Sequence, residues 1–226
     1  MPLAIFDHDG VLVDTLKLHQ DAWVAMGRET GLPMTPEFIL ETFGMTNAMI
    51  LRKVRGESLP DAEILAYSDH KESLYRDLAR GTIVLMPGVR QFLDALTAAG
   101  VDLAIGSSGV RKNLELTVEE AGLHGRFEAI VAGEDVTRGK PDPQVFLLAA
   151  SRSGTPPAES VVFEDAPVGI RAAKAAGMLA VGVTSSHDAD ALWEAGADQV
   201  VPDLSHCDVA DLVSRLSPAD RLGIRR

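Results

Sequence analysis

Short apolar runs alternate with segments of helical period along most of this chain. Runs in which consecutive positions are apolar are typical of strands that are buried on both faces of a sheet. Such runs lie at 3–6, 102–107, 129–133, 160–165, 179–183 and 199–202. Helical patterns follow them at 88–99, 111–121, 142–153, 167–176, 188–195 and 208–216. The alternation predicts an α/β fold, a Rossmann-like core whose mostly parallel sheet is flanked by helices.

Residues 16–83 depart from this alternation, because they contain helical windows and little that resembles a strand. We therefore expect a small α-helical cap domain at 16–83, inserted after the first strand of a core domain formed by 1–15 and 84–226. Ligands of open parallel sheets bind beyond the carboxyl ends of the strands. An insertion that leaves the sheet at that edge can close over a ligand as a lid.

Composition limits the classes of partner and compartment. The chain has 226 residues, a net charge of −12 and no run of Lys or Arg, so a nucleic-acid partner is not expected. It has no apolar stretch long enough for a bilayer and no signal-like N-terminus, so we expect no membrane association. The single cysteine, Cys207, excludes an internal disulfide and fits a reducing, cytoplasmic compartment. We expect a monomer, with a dimer as the alternative.

Polar side chains lie at or just after the ends of four of the predicted strands. They are Asp7 and Asp9 at the first strand, Ser107 and Ser108 at the second, Lys140 in the loop after the third, and Glu164 and Asp165 at the fourth. Taken singly, each has an ordinary alternative as a turn residue, a helix N-cap or a solvated lysine. Because the carboxyl ends of parallel strands meet at one edge, we expect these groups to lie together.

The combination of groups predicts a phosphoryl-transfer site. Clustered carboxylates repel one another unless a cation such as Mg²⁺, which prefers oxygen ligands, lies among them. A lysine and a hydroxyl beside that cation can bind phosphoryl oxygens. One aspartate would attack phosphorus, and the second, two residues on, would protonate the leaving oxygen and then activate water. Alternation along a strand would place residues two apart on one face.

Four motifs stand in the order and spacing of a known family. The stretches "DHDGVLVDT", "AIGSSG", "GKPDP" and "VFEDAPVGIRAAKAAGM" resemble the motifs of the haloacid dehalogenase-like phosphatases and phosphomutases. The resemblance covers nearly the whole predicted core domain. The position of the helical insertion is similar to that of the C1 cap of this family.

The resemblance implies roles for individual residues. By motif position, Asp7 resembles the nucleophile and Asp9 the general acid/base, while Lys140 resembles the group that neutralises nucleophile and phosphate. Ser107 resembles the residue that binds the phosphoryl group, with Ser108 as the adjacent alternative.

The resemblance also implies a Mg²⁺ site. Its ligands would be the Asp7 carboxylate, the Asp9 main-chain carbonyl and Asp165. Glu164 would support the metal directly or through water.

Residues near the first motif and in the insertion bear on the type of reaction. Thr15 and His19 resemble the β-phosphoglucomutase and phosphoglycolate phosphatase-like group, in which they would couple cap closure to the acid/base. Asn47 stands where a sugar mutase would have an arginine for a second phosphate, which favours hydrolysis of a small phosphorylated metabolite, such as a sugar phosphate, over a mutase reaction. The presence of Asp9 disfavours dehalogenation. A non-catalytic metal-binding protein is the remaining alternative.

Other residues in these regions carry weaker expectations. His8 lies between two inward carboxylates, so we expect its side chain to point to the opposite face, with a pH-tuning role as the alternative. The candidates for substrate contacts are Thr15, His19, Thr46 and Asn47. Trp23, Met26 and Met45 are expected in the core of the insertion.

Overall fold

A computed structural model describes residues 1–216, so the last part of the predicted core domain, 217–226, lies outside the described residues. Six parallel strands form one sheet in the order β3-β2-β1-β4-β5-β6. The strands are β1 (Leu3–Phe6), β2 (Asp102–Gly106), β3 (Ala129–Val131), β4 (Ser160–Glu164), β5 (Leu179–Val183) and β6 (Gln199–Val201). The predicted Rossmann-like α/β fold is confirmed, and each predicted strand agrees with an observed strand to within two residues.

The helices lie where the periodicity predicts them. Those that precede β2 are α1 (Leu16–Thr30), α2 (Pro36–Glu41), α3 (Asn47–Arg55), α4 (Asp61–Ala79) and α5 (Val89–Ala98). Those that follow β2 are α6 (Arg111–Glu120), α7 (Gln144–Ser153), α8 (Pro167–Ala175), α9 (Ala189–Glu194) and α10 (Val209–Leu216).

The central strand β1 is buried on both faces, which explains its uninterrupted apolar sequence. Successive side chains of a strand point to opposite faces of the sheet. Ala4 and Phe6 accordingly pack in one hydrophobic cluster with α5, α6 and α10, whereas Leu3 and Ile5 pack in a second cluster with α7, α8 and α9. The sheet is therefore covered by helices on both sides, as an all-parallel sheet requires.

The strand register brings the ends of three strands together. Phe6 of β1 pairs with Ile105 of β2 on one side and with Phe163 of β4 on the other. The Asp7 amide extends this pairing by donating to the Phe163 carbonyl over 2.9 Å. The residues that follow β1, β2 and β4 consequently emerge side by side at the carboxyl edge of the sheet.

The helices α1–α4 pack mainly on one another. Their buried side chains form a separate hydrophobic cluster that includes Trp23, Met26, Ile39 and Leu51, with Met45 packed against it, as the sequence predicts. Thr46 accepts a hydrogen bond of 3.4 Å from the Met49 amide and begins α3 as its N-cap. Within residues 1–216, no helix combines the length and the apolar character that crossing a membrane would need.

Candidate active site

The turn after β1 places two aspartates at the same cleft. Asp7 and Asp9 both line a cavity between the sheet edge and the helices α1–α4. The chain leaves the strand at Phe6, so a turn, not strand alternation, gives this arrangement. Gly10 in that turn has a φ of +78°, and a Cβ there would lie 2.1 Å from Asp165 Oδ2. A glycine is therefore required, both by the left-handed backbone and by the approach of the Asp165 carboxylate.

Lys140 reaches the same edge from the loop after β3. Its side chain is fully buried; Nζ donates to Glu164 Oε1 over 2.6 Å and lies 3.1 Å from Asp7 Oδ1. Burial alone would lower the pKa of Lys140, but the two carboxylates raise it, so the lysine carries its charge. The alternative in which Lys140 is an ordinary solvated lysine at the surface is therefore wrong.

Glu164 is held from two sides. Oε1 accepts from Lys140, and Oε2 accepts a hydrogen bond of 2.8 Å from the Ala166 amide. Burial raises the pKa of Glu164 to about 7, although the charge of Lys140 opposes the increase. Each oxygen therefore has one protein donor, and the donor to Oε1 connects Glu164 directly to Lys140.

Three buried carboxylates converge beside Lys140. Oxygens of Asp7, Glu164 and Asp165 lie within 4.8 Å of one another. Asp165 Oδ2 accepts a hydrogen bond of 2.6 Å from Ser186, whereas Asp165 Oδ1 is buried and has no hydrogen-bond partner among residues 1–216. Burial, followed by repulsion from Glu164 and Asp7, raises the pKa of Asp165 well above its usual value. A hard divalent cation with oxygen ligands fits this donor set, because it would relieve the repulsion and satisfy the free oxygen.

The Asp9 carboxylate is fixed through one of its oxygens. Oδ1 accepts from Thr15 Oγ1 over 2.5 Å and lies 3.2 Å from both His19 Nε2 and His8 Nδ1. Burial alone would raise the pKa of Asp9, but the two histidines lower it well below its usual value. The other oxygen, Oδ2, lies near Gly109 at the cleft.

The His8 side chain contacts Asp9, although the sequence predicts that it points to the opposite face. It is buried, and its Nε2 lies 2.5 Å from the Thr117 hydroxyl on α6. Its Nδ1, however, lies 3.2 Å from Asp9 Oδ1, so the expectation that the ring points away from both carboxylates is wrong. The turn after β1 bends the chain, and adjacent side chains there are no longer held on opposite faces.

A second network connects His19 to helix α4. Lys71 Nζ, which is buried, lies 2.8 Å from His19 Nδ1 and donates to Glu72 Oε1 over 2.9 Å. Because an ammonium group has no acceptor, His19 Nδ1 accepts and its Nε2–H donates to Asp9. The Lys71 charge also lies 5.4 Å from the ring centres of Trp23 and Tyr75, which stabilise a cation.

The two serines line the cleft and do not begin the next helix. The N-cap of α6 is Val110, so the alternative in which Ser107 or Ser108 caps this helix is wrong. Ser107 is buried, and its Oγ accepts a hydrogen bond of 3.0 Å from the Gly109 amide. Asn47 lines the same cavity and donates over 2.7 Å to Glu72.

Sequence reasoning missed Lys71, Glu72 and Ser186. Lys71 contacts His19, which is 52 positions away, and Glu72 contacts Asn47, which is 25 positions away. No local motif predicts pairs that are so far apart in the sequence. Ser186 follows β5 and so lies at the same edge of the sheet, but none of the four motifs includes it.

Comparison with known proteins identifies the family. Residues 4–183 match the family model of the haloacid dehalogenase-like hydrolases. A validoxylamine A 7'-phosphate phosphatase from Streptomyces hygroscopicus subsp. limoneus is 32% identical over 209 residues, which cover 90% of this chain and 94% of that protein. A phosphorylated carbohydrates phosphatase from Thermotoga maritima is 32% identical, with 89% and 94% covered.

The crystal structure of a hydrolase from Pseudomonas syringae has the same fold. It superimposes with a TM-score of 0.83 at 29% identity and covers 91% of this chain and 97% of that one. The family match and the phosphatase relatives agree with the phosphoryl-transfer site that the residues predict. The chain belongs to the haloacid dehalogenase-like hydrolases and is a phosphoric monoester hydrolase of that family.

Proposed function

We propose that this enzyme is a Mg²⁺-dependent phosphatase that hydrolyses a small phosphorylated carbohydrate or similar metabolite through an aspartyl-phosphate intermediate. The observation that carries the proposal is the convergence of Asp7, Lys140 and Asp165 at one buried edge, with Asp9 beside them. The two relatives are named as phosphatases of validoxylamine A 7'-phosphate and of phosphorylated carbohydrates, and the second name supports the substrate class.

In the first step, an Asp7 carboxylate oxygen attacks phosphorus. A phosphorus–oxygen bond to Asp7 forms, the bond to the leaving group breaks, and Asp9 gives its proton to the leaving oxygen. Lys140 offsets negative charge on Asp7 and the phosphoryl group, and Ser107 donates to a phosphoryl oxygen. The pKa of Asp9 is low in the absence of substrate. The negative phosphoryl group must therefore raise it before Asp9 can act as an acid.

In the second step, Asp9 removes a proton from water as the water oxygen attacks phosphorus. The bond to Asp7 breaks, and inorganic phosphate and the free Asp7 carboxylate result. His19 and Thr15 hold the Asp9 oxygen that does not face the cleft, so the same carboxylate is oriented for both steps. A low pKa suits this step, because the base must be ionised to accept the proton.

Mg²⁺ would be held by the Asp7 and Asp165 carboxylates and the Asp9 main-chain carbonyl, with Glu164 supporting it directly or through water. When bound, the ion supplies positive charge that screens the nucleophile from the phosphate. The unpartnered Asp165 Oδ1 supports this assignment. Ser186 and the turn at Gly10 orient the Asp165 carboxylate for it.

The organisation of the chain follows from the same proposal. We propose that residues 16–83 form a cap domain over the core of 1–15 and 84–226, with Thr15 and His19 connecting cap position to the acid/base. A cytoplasmic monomer remains a prediction.

Hydrolysis is favoured over a phosphomutase reaction. A mutase must hold a second phosphate in the cap, and Asn47 instead donates its amide to the Glu72 carboxylate, which would repel a phosphate. A non-catalytic metal-binding protein would be expected to lack one of the reacting groups, and Asp7, Asp9 and Lys140 are all present.

The test is phosphate release from a panel of phosphorylated metabolites, with Mg²⁺ and with EDTA. Each phosphosugar is also followed by NMR for positional isomerisation. Mg²⁺-dependent release is the expected result. Isomerisation with little release would identify a mutase, and no turnover of any phosphoester would revive the non-catalytic alternative.

A further inference from the structure

Two adjoining cavities lie between α3 and α4 and the sheet edge. The inner cavity, about 50 Å³, contains Asp7, Asp9 and Ser107. The outer cavity is about 390 Å³ and shares lining residues with the inner one. The outer cavity is therefore the larger space into which the leaving group of a ligand with phosphorus at Asp7 can extend.

Glu72 stands at the boundary, because it lines both cavities. Its Oε1 accepts from Asn47 and Lys71, and its Oε2 accepts from Asn113 over 2.5 Å. Each carboxylate oxygen has two acceptor sites, so Oε2 retains one for a ligand. Burial alone would raise the pKa of Glu72, but the charge of Lys71 and hydrogen bonds from Asn47 and Lys71 hold it below its usual value.

The cations near this boundary have partners within the protein, two of them carboxylates and one a neutral amide. Lys71 contacts Glu72 and His19, Arg52 pairs with Asp61 over 3.0 Å, and Arg76 donates to Asn113 over 3.1 Å. Around the outer cavity, four carboxylates face three basic side chains among the described residues. The leaving-group region consequently has no excess of positive charge. Glu72 is the one of its four carboxylates that also lines the inner cavity, where it pairs with Lys71.

We propose that Glu72 is a specificity-determining residue that selects substrates whose leaving group is a neutral or cationic polyol and rejects those with a second anionic group. Hydroxyl or ammonium donors of the leaving group would bind the remaining acceptor site of Oε2. A second phosphate or a carboxylate at the same place would meet like charge in a cleft screened from water. This inference rests on the proposed phosphatase function.

The experiment compares three ring-matched probes as competitors of p-nitrophenyl phosphate hydrolysis in Mg²⁺. They are α-glucose 1-phosphate, α-glucosamine 1-phosphate and α-glucuronic acid 1-phosphate, and their inhibition constants are obtained whether or not they are hydrolysed. We expect the glucuronic acid ester to bind about tenfold more weakly than the glucose ester, because of like-charge repulsion at Glu72. The glucosamine ester should bind at least as tightly as the glucose ester.

The variant Glu72→Gln keeps the shape of the side chain and removes its charge. We expect it to reduce the tenfold gap to less than about threefold. Asp77→Asn is the matched control, because Asp77 is an exposed carboxylate of the same helix that lines neither cavity. In this control the ratio of the inhibition constants of the glucuronic acid and glucose esters should equal that of the unmodified enzyme.

Three results would overturn the inference: no charge discrimination in the unmodified enzyme, an unchanged gap in Glu72→Gln, or equal weakening of all three probes by that variant, which would show a structural role alone. Failure of the proposed function is distinguishable, because p-nitrophenyl phosphate would then not be hydrolysed, while titration calorimetry would still give the dissociation constants of the three probes. Circular dichroism melting of both variants confirms that folded proteins are compared.

Discussion

Replacing Lys140 with Met should destabilise the protein strongly and in a pH-dependent manner. Methionine preserves most of the side-chain volume and removes the charge, so cavity formation contributes little to the change. The buried carboxylates of Asp7, Glu164 and Asp165 would then lie together without a cation among them.

The distances set the magnitude of the effect. Lys140 Nζ lies 2.6 Å from Glu164 Oε1 and 3.1 Å from Asp7 Oδ1. Unit charges about 3 Å apart attract by about 5–6 kcal/mol at an effective dielectric constant of about 20. Burying the ammonium group cancels part of this attraction, and removing one partner of a buried pair costs about 3–5 kcal/mol. We expect Lys140→Met to lower the free energy of unfolding by that amount at pH 8.5 in EDTA.

The sign of the pH dependence follows from Glu164. Its pKa in the folded protein, about 7, is above its usual value, so its ionisation destabilises the fold as the pH rises from about 5 towards 8. Loss of Lys140 would raise this pKa further and increase that destabilisation. Lys140 itself keeps its proton throughout this window, because its pKa is raised. The stability difference between the variant and the unmodified protein should therefore be smaller at pH 5.5 than at pH 8.5.

The assay is urea unfolding followed by circular dichroism at both pH values. Lys174→Met is the matched control, because Lys174 pairs with Asp198 over 2.6 Å at the surface. A surface pair contributes about 0–1 kcal/mol, with little change between these pH values. The electrostatic account of this cluster would be refuted if Lys140→Met lowered the free energy of unfolding no more than Lys174→Met does. It would also be refuted if the loss caused by Lys140→Met became smaller as the pH rose.

Three further substitutions have expected outcomes. Gly10→Ala should lower the free energy of unfolding by at least about 1–2 kcal/mol, because of the left-handed backbone, and should displace Asp165; urea unfolding measures this, and an unchanged midpoint would contradict it. Ser186→Ala should weaken Mn²⁺ binding, measured by electron paramagnetic resonance, by about 10-fold or more, because Asp165 loses an orienting hydrogen bond; unchanged affinity would count against that role. Asp135→Asn should lower the free energy of unfolding by about 1–2 kcal/mol at pH 7. The hydrogen bond from Arg152 is the main cause that lowers the pKa of Asp135, although partial burial opposes it. Its stabilisation is present above the usual Asp pKa, so the difference in unfolding free energy should shrink as the pH falls from 5 to 3; a constant difference would contradict this.

The elements and their order could be predicted from the sequence because each depends on local pattern. The buried strand β1 has four consecutive apolar residues, and α8 begins with Pro167 at its first turn, as the sequence pattern indicates. The edge at which the strands end follows from parallel pairing, so Asp7, Ser107 and Asp165 could be expected together.

The parts of the site that were missed depend on long-range packing. The contact of His8 with Asp9 arises from the turn that begins at the end of β1, and alternation along a strand no longer applies there. Lys71 reaches His19 because α4 packs against α1, which no pattern within either helix indicates. The pairing of Glu164 with Lys140 likewise requires the exact positions of the end of β4 and of the loop after β3, so the sequence could suggest only a shared edge.

The central claim is that Asp7 is phosphorylated during turnover. The direct measurement is reduction of the enzyme with borohydride during Mg²⁺-supported turnover, followed by peptide mapping, since an aspartyl-phosphate is reduced to homoserine. The account predicts homoserine at position 7, absent when EDTA is added and absent in Asp7→Asn, which should be folded and inactive. Reduction at another residue, or sustained turnover by Asp7→Asn, would contradict it.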